Sequence, residues 1–284
     1  MTAVESVAAT AAEAVAFAAQ YLKNAGFSNA LFESKQLVAR CLGLAPARLD
    51  LHWARPWTPA DEALLTVWLS QRASRVPLAY VLGEWDFLHL TLTVTPDVLI
   101  PRPETEELFS LAVSSIGDKV AAVADVGTGA GGLALAAAGR WPSARVVALD
   151  VSSSALAVAR WNARRWGLVN QIQFVQNDLI SGKTEFDLVL ANLPYVATSE
   201  LNGLDPELAW EPRVALDGGV DGLAVVRRCV PLAWHALRPG GQLWLEVGQG
   251  QGEPTRALLR QAGFREVTLC SDFAGIQRFV GGTR

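Results

Sequence analysis

The spacing of apolar positions changes character twice along the chain. Over residues 1–84 it is helical. The Ala-rich run from Val4 to Leu22 predicts a helix that stops at Asn24-Ala25-Gly26, where a glycine can take the left-handed turn that ends helices. A second helix is predicted from Ala30 to Leu42, with Leu31, Val38 and Leu42 on one face and Leu37 and Cys41 beside them. Thr58-Pro59-Ala60-Asp61 announces another start: a hydroxyl cap, a proline at the first helical position and an acid three residues after the cap. Trp53, Trp57 and Trp68 are expected to pack between these helices. Residues 85–100 switch to period two, with Leu88, Leu90, Leu92 and Val94 alternating with His89, Thr91, Thr93 and Thr95. That pattern predicts a strand, read as half of a hairpin that links the helical part to the rest.

After this linker, "PRPETEEL" opens a helix, with Pro103 near its start and Glu104, Glu106 and Glu107 favoured by the positive end of the helix dipole. From Lys119 onward strands and helices alternate. Strands are predicted at 120–126, 145–150, 171–176, 186–191 and 242–247, a helix spans Ser154 to Trp166, and two closing strands flank a turn in "REVTLCSDFAGIQRFVGG". Such alternation gives an α/β fold with a mostly parallel sheet covered on both faces. The expected organisation is a helical domain over 1–84, a β-hairpin linker over 85–101 and an α/β domain over 102–284.

Composition narrows the function classes. Half of the 284 residues are apolar (51%) and 18% are charged, enough for a large core and unlike a disordered chain. The formal charge of −4 argues against stable nucleic acid binding, which rests on a basic footprint. Cys41, Cys229 and Cys270 are far apart and form no CxxC pair, and His52, His89 and His235 are isolated, so no metal site is expected. The N-terminus lacks a basic start and carries Glu5 and Glu13, unlike a secretory signal. The apolar window "VAAVADVGTGAGGLALAAAG" is broken by Asp125 and by glycines, so it reads as strand, loop and helix, not a membrane span. A cytoplasmic protein without membrane contact is expected.

The loop in that window carries chemistry. "ADVGTGAGG" places Gly127, Gly129 and Gly131 after an apolar strand and before a helix, at the edge where open sheets bind nucleotides. Asp150 ends the next strand, where a carboxylate can accept both ribose hydroxyls. Gly127, Gly129 and Gly132 also satisfy GxGxxG, so a dinucleotide and hydride transfer fit the loop taken alone. Asp125 tilts the choice. It gives the D-x-G-x-G-x-G form of methyltransferases that use S-adenosylmethionine, and an acid under the loop suits a cationic sulfonium or ammonium better than a pyrophosphate. In "VQNDL", Asp178 can meet an adenine amino group while Leu179 packs on the ring; Asp178 reads equally well as a cap or turn residue.

The fourth strand of the α/β part delivers Asn192-Leu193-Pro194-Tyr195 to the same edge. A planar NH2 group is a poor nucleophile because its lone pair is delocalised. Two acceptors that bind its two hydrogens localise charge on the nitrogen. The Asn192 side-chain oxygen is one candidate and the Leu193 main-chain carbonyl the other, a place where any side chain should serve. Pro194 biases Leu193 to an extended conformation and so aims that carbonyl. The Tyr195 ring can stack on the planar group.

With these motifs, "PLAYVLGEWDF", "VTPDVLIPRPETEEL", "DVGTGAGGLALA", "FDLVLANLPYV", "EPRVALDGGVDGL", "LRPGGQLWLEVGQGQ" and "DFAGIQRFV" make the chain resemble the HemK/PrmC family from about Pro77 to the end. Those are methyltransferases specific for the glutamine of the GGQ motif in peptide chain release factors. The resemblance implies a seven-strand Rossmann-like S-adenosylmethionine methyltransferase domain preceded by a small helical bundle that recognises substrate. By position it assigns Gly127, Thr128, Gly129, Ala130, Gly131, Asp150, Asp178, Leu179 and Asn192 to the cofactor. It assigns Asn192, Leu193, Pro194 and Tyr195 to the glutamine, with Asn192 and Tyr195 catalytic. The family usually has proline where Leu193 stands, and N-L-P-Y is familiar from ribosomal RNA adenine dimethyltransferases. Two other readings remain in view: an adenine N6-methyltransferase acting on RNA or DNA, and a catalytically silent module that only binds a partner.

Overall fold

A computed structural model describes residues 8–182 and 185–284. The chain divides into two compact units, Met1–Gly83 and Glu84–Arg284.

The first unit holds α1 (Ala11–Asn24), α2 (Ala30–Cys41), α3 (Pro59–Ala73) and the short α4 (Leu78–Leu82). α1 starts later than its alanine content suggests. Thr10 is extended and its side chain accepts from the Glu13 amide, so the helix begins at a cap; the rest of the predicted start, residues 4–7, lies outside the described residues. The capping box predicted at Thr58 is present in both directions, with Asp61 Oδ2 accepting the Thr58 amide at 3.0 Å. A single such cap contributes about 1 kcal/mol. Of the three tryptophans only Trp57 is buried, its indole donating to Glu62 at 2.7 Å. Arg72, 3% exposed, forks onto Glu33 at 2.7 and 3.0 Å and pins α3 to α2.

The second unit opens with a complete hairpin, β1 (Glu84–Phe87) and β2 (Leu90–Thr93). The arms and their turn occupy 84–93, so the alternation over 85–100 that predicts one strand of a hairpin runs across both arms. The parity of the inward residues changes from Trp85 and Phe87 to Leu90 and Leu92, the mark of a two-residue turn, and Leu88 sits in that turn at φ +53°. Next come α5 (Pro103–Ile116), β3 (Ala122–Val126), α6 (Gly132–Arg140), β4 (Arg145–Asp150), α7 (Ser153–Arg165), β5 (Ile172–Gln176) and β6 (Phe186–Asn192). The short α8 (Arg213–Leu216), then α9 (Ala224–Ala236), β7 (Leu237–Glu246), α10 (Gly252–Gln261), β8 (Arg265–Ser271) and β9 (Gln277–Thr283) complete the chain.

The seven strands run β5-β4-β3-β6-β7-β9-β8, parallel from β5 to β7 and antiparallel in the last two pairs. β7 starts five residues before the predicted 242, because Arg238-Pro239-Gly240-Gly241 shifts its register against β6 instead of ending the strand. One face of the sheet packs Val189, Ala191, Leu243, Leu245 and Val247 against Val226, Val230 and Ala233 of α9. Fully burying each of these valines and leucines contributes about 1.5–3 kcal/mol. At the other end of its sequence, β6 is fastened by Asp187, whose Oδ2 accepts the amides of Ala121 and Ala122, both at 2.7 Å. The five parallel strands β3 to β7 thus present their carboxyl ends together, and the crevice lies there. Among the described residues no helix is long and apolar enough to cross a membrane.

Candidate active site

The glycine loop leaves β3 with Gly127, Gly129 and Gly131 at φ +76°, +53° and +90°, a region that side chains disfavour. Gly127 and Thr128 both donate to the Leu149 carbonyl at 2.9 Å, which presses the loop against the end of β4. A Cβ on Gly129 would meet nothing within 4 Å, whereas one on Gly131 would lie 3.0 Å from Leu135 and 3.2 Å from Ala159. Gly129 therefore faces open crevice, and Gly131 lets α6 and α7 close under the loop. Beneath it Asp125 Oδ2 accepts from Thr128 Oγ1 at 2.6 Å and from the Ala134 amide at 3.0 Å, while its buried Oδ1 has no partner within the chain. Burial pushes the Asp125 carboxyl up to about 7, against the pull of those two donors. The Ala130 carbonyl accepts from Asn162, which also bonds both main-chain groups of Thr93 and so moors the loop to the hairpin.

Asp150 uses one oxygen on each side: Oδ2 accepts the Gly129 amide at 3.0 Å and Oδ1 the Ser152 amide at 2.9 Å. Burial raises its pKa while these two amides oppose the rise. Each oxygen keeps a lone pair for a further donor. A cavity of about 550 Å³ opens beside it, bringing together Gly127, Gly129, Asp150, Asp178, Leu179, Asn192, Leu193 and Pro194. Leu179 is buried there at φ +68°, in a turn where Asn177 Nδ2 bonds its carbonyl at 3.1 Å. Asp178 does not present a free carboxylate, because Arg228 of α9 pairs with it at the cavity edge.

A smaller cavity of about 60 Å³ adjoins the first and takes in Thr128, Ala130, Asp125 and Thr105. Asn192, Gly127 and Gly129 line both. Asn192 is the last residue of β6 and the register partner of Glu246 on β7, so the two side chains share a face. The Asn192 Nδ2 donates to Thr105 Oγ1 at 2.9 Å, and the Thr105 hydroxyl donates to Glu246 Oε2 at 2.6 Å. Glu246 is 1% exposed and burial pushes its carboxyl up to about 7.

The Leu193 side chain is buried and stands 3.3 Å from where a Gly127 Cβ would be, so this position is packed and not open to any side chain. Tyr195 lines neither cavity. Its hydroxyl points at Glu246 Oε1, 3.4 Å away, its carbonyl accepts from Gln251 Nε2 at 2.8 Å, and burial raises its phenol pKa. A second strap grips this turn: Gly218 donates to the Val196 carbonyl at 2.8 Å, and a Cβ on Gly222 would lie 2.3 Å from the Tyr195 carbonyl oxygen. The "EPRVALDGGVDGL" segment thus has a mechanical reason for its glycines. Its glutamate, Glu211, accepts the Ile100 amide and pairs with Arg102, tying it to "LIPRP". Sequence alone gives Thr105, Glu246, Asn162 and Arg228 no role, since each acts on a residue at least 50 positions away, and it gives the strap's glycines none, since they act through backbone proximity. Among the described residues no group of His, Cys, Asp or Glu is arranged to hold a metal.

A parallel sheet closed by an antiparallel pair, with its nucleotide-type loop and acid facing an Asn-x-Pro-Tyr turn, defines an S-adenosylmethionine-dependent methyltransferase. Solved structures share the fold. A ribosomal protein L11 methylase from Lactobacillus delbrueckii subsp. bulgaricus superposes with a TM-score of 0.53 at 20% identity, covering 71% of this chain and 98% of that one. The catalytic domain of hMettl16 in complex with MAT2A 3'UTR hairpin 6 gives 0.58 at 19% identity, over 76% and 81%. The PrmC N-terminal domain matches residues 13–83 and the methyltransferase small domain residues 109–206. A release factor glutamine methyltransferase of Geobacter sulfurreducens is 39% identical over 265 residues, 92% of either chain, and one of Bordetella pertussis is 40% identical over 254 residues, 88% of this chain and 93% of that one. The chain belongs to the release factor glutamine methyltransferase family.

Proposed function

We propose that this chain methylates the side-chain amide nitrogen of the glutamine in the GGQ motif of peptide chain release factors, in the cytoplasm. The observation that carries the reading is the set of the Asn192 carboxamide. Its NH2 is taken by Thr105, which leaves Oδ1 as the atom able to accept from a planar NH2 group. S-adenosylmethionine supplies an electrophilic methyl group on a positively charged sulfur. Asn192 Oδ1 and the Leu193 carbonyl accept the two hydrogens of the glutamine amide, orient its nitrogen and stabilise the charge that develops there. This is catalysis by position and fixed dipoles, with no covalent intermediate. Tyr195 holds the turn, its hydroxyl reaching Glu246 and its carbonyl accepting from Gln251.

The residues fit the cofactor. The cavity of about 550 Å³ is within the range of small-molecule sites. Gly127 to Gly131 would let the backbone approach, Asp150 would meet the ribose hydroxyls, Asp178 and Leu179 would lie at the adenine, and the unpartnered Asp125 oxygen lies below the loop as a further acceptor. Asp150→Ala is expected to weaken cofactor binding by about 1.5–3 kcal/mol, the worth of a hydrogen bond to a charged group. Calorimetry giving an unchanged affinity would take Asp150 out of the site.

The helical unit is proposed to recognise the release factor outside the glutamine. A short GGQ peptide should then show at least about tenfold lower kcat/KM than a whole release factor with the full-length enzyme, since remote binding energy is missing. Equal kcat/KM values would give the helical unit another role. The function itself is tested by incubating the chain with labelled S-adenosylmethionine and release factor, then mapping the modified residue. Label on any residue other than the GGQ glutamine, or on added RNA and not on protein, refutes the assignment.

A further inference from the structure

We infer that Thr105 and Glu246 form a polarity relay that decides which end of the Asn192 carboxamide faces the substrate. Both are positioning residues, and the inference rests on the acceptor role given to Asn192 above. The oxygen and the nitrogen of a carboxamide are nearly the same size, so shape alone does not choose between its two orientations. Only the hydrogen-bond partners choose, and an NH2 turned toward the crevice would meet the substrate NH2 donor against donor.

The choice is made at the far end of the chain of bonds. An ionised Glu246 has no proton and can only accept. The Thr105 hydroxyl, 2.6 Å from Oε2, must therefore spend its one hydrogen there. Thr105 Oγ1 is left with lone pairs, and Asn192, 2.9 Å away, must turn its NH2 to them. Oδ1 is then the free end of a side chain that borders both cavities. Three elements distant in sequence supply the parts: α5 brings Thr105, β6 brings Asn192 and β7 brings Glu246, the last two as register partners. Thr105 and Glu246 are 7% and 1% exposed, so the bonds between them form in a low-dielectric setting that strengthens them.

The relay has a consequence in pH. Glu246 takes up a proton near 7, and the protonated acid can donate to Thr105 and reverse each bond in turn, ending with the wrong face of Asn192 toward the substrate. The charged groups that face Glu246 are Glu104 from α5, which raises its pKa, and Arg278 from β9, which lowers it and is itself held by Asp272 at 2.7 Å. The Tyr195 hydroxyl reaches it from the turn after β6. The opposite face of β7, Leu243, Leu245 and Val247, meets α9 through apolar residues.

The test uses the full-length chain, a whole release factor and single-turnover methylation, with cofactor affinity measured by calorimetry. Thr105→Val keeps the shape and removes the hydroxyl. It should slow methyl transfer about 10- to 100-fold, the usual cost of losing an outer partner of a working side chain. Cofactor affinity should stay within about twofold, because the cofactor contacts lie elsewhere. Thr105→Ser, which restores the hydroxyl, should recover the rate to within about threefold of the unaltered chain. The unaltered chain should lose rate below pH 7, and Glu246→Gln should not. A Thr105→Val rate within about threefold of normal, beside an inactive Asn192→Ala, overturns the relay and leaves the acceptor role of Asn192 standing. A normal rate in Asn192→Ala refutes that role instead. If Thr105→Val does not fold, the pH profile decides: an acid limb unchanged in Glu246→Gln overturns the relay, and its loss supports it.

Discussion

Asn192→Ala should slow single-turnover methylation of a release factor by about 10²–10³, the loss seen when one preorganised polar contact to a transition state is removed. Cofactor affinity should fall much less, because Asp150, Leu179 and the glycine loop remain. The fold should survive: the Thr105 hydroxyl keeps its bond to Glu246, and only its acceptor side loses a partner. Asn192→Asp is expected to fare little better than alanine. The new carboxylate would have no hydrogen to give Thr105, whose own hydrogen is committed, and it would stand directly beside its register partner Glu246. Rates are read with labelled cofactor at saturating enzyme, and affinity by calorimetry. Asn192→Ala turning over at close to the normal rate would remove the Asn192-Leu193-Pro194-Tyr195 turn from the chemistry.

The parts of this site that are local in sequence were legible. Positive φ at Gly127, Gly129 and Gly131 follows from glycines between a buried strand and a helix, and Asp150 follows from the end of the next strand. Thr58 and Asp61 announced their helix because a capping box is written in four consecutive residues. The non-local parts left no trace of that kind. Thr105 reads as an ordinary helical residue among glutamates, and Glu246 as one acid at the end of an apolar strand. Only the sheet order, with β7 beside β6, brings them to Asn192. Asp178 was readable as an adenine partner, but Arg228, fifty residues later, shares its carboxylate. The hairpin spans 84–93 where the sequence places it over 85–101, for a different reason. Leu88 continues the alternation of Leu90 and Leu92 by coincidence, while its backbone is in the left-handed turn.

The glycines of the strap carry the other large effect. Gly222 sits at φ +72°, and a Cβ there would lie 2.3 Å from the Tyr195 carbonyl oxygen and 2.4 Å from the Gln251 Nε2 that bonds it. Gly218 is as confined, with the Pro194 carbonyl oxygen 2.7 Å from its would-be Cβ. The atoms crowding Gly222 are the Tyr195 carbonyl and the Gln251 amide that bonds it, so the substrate turn must move if Gly222 gains a methyl group. Gly222→Ala is therefore expected to displace the Leu193 and Asn192 acceptors and to lower turnover about 10²-fold, the cost of a misplacement near 1 Å. Overpacking should also destabilise the fold by roughly 1–3 kcal/mol. Gly240→Ala separates crowding from backbone strain. Gly240 has φ +81°, yet a Cβ there meets nothing within 4 Å, and it lies in the irregular start of β7, at the end of the strand remote from Glu246. That variant should lose only the left-handed penalty of about 1–2 kcal/mol and keep its turnover. Thermal unfolding and single-turnover rates of the two variants give the comparison. Equal turnover in both would mean that the strap does not set the geometry of the Asn192–Tyr195 turn, and that its glycines serve stability alone.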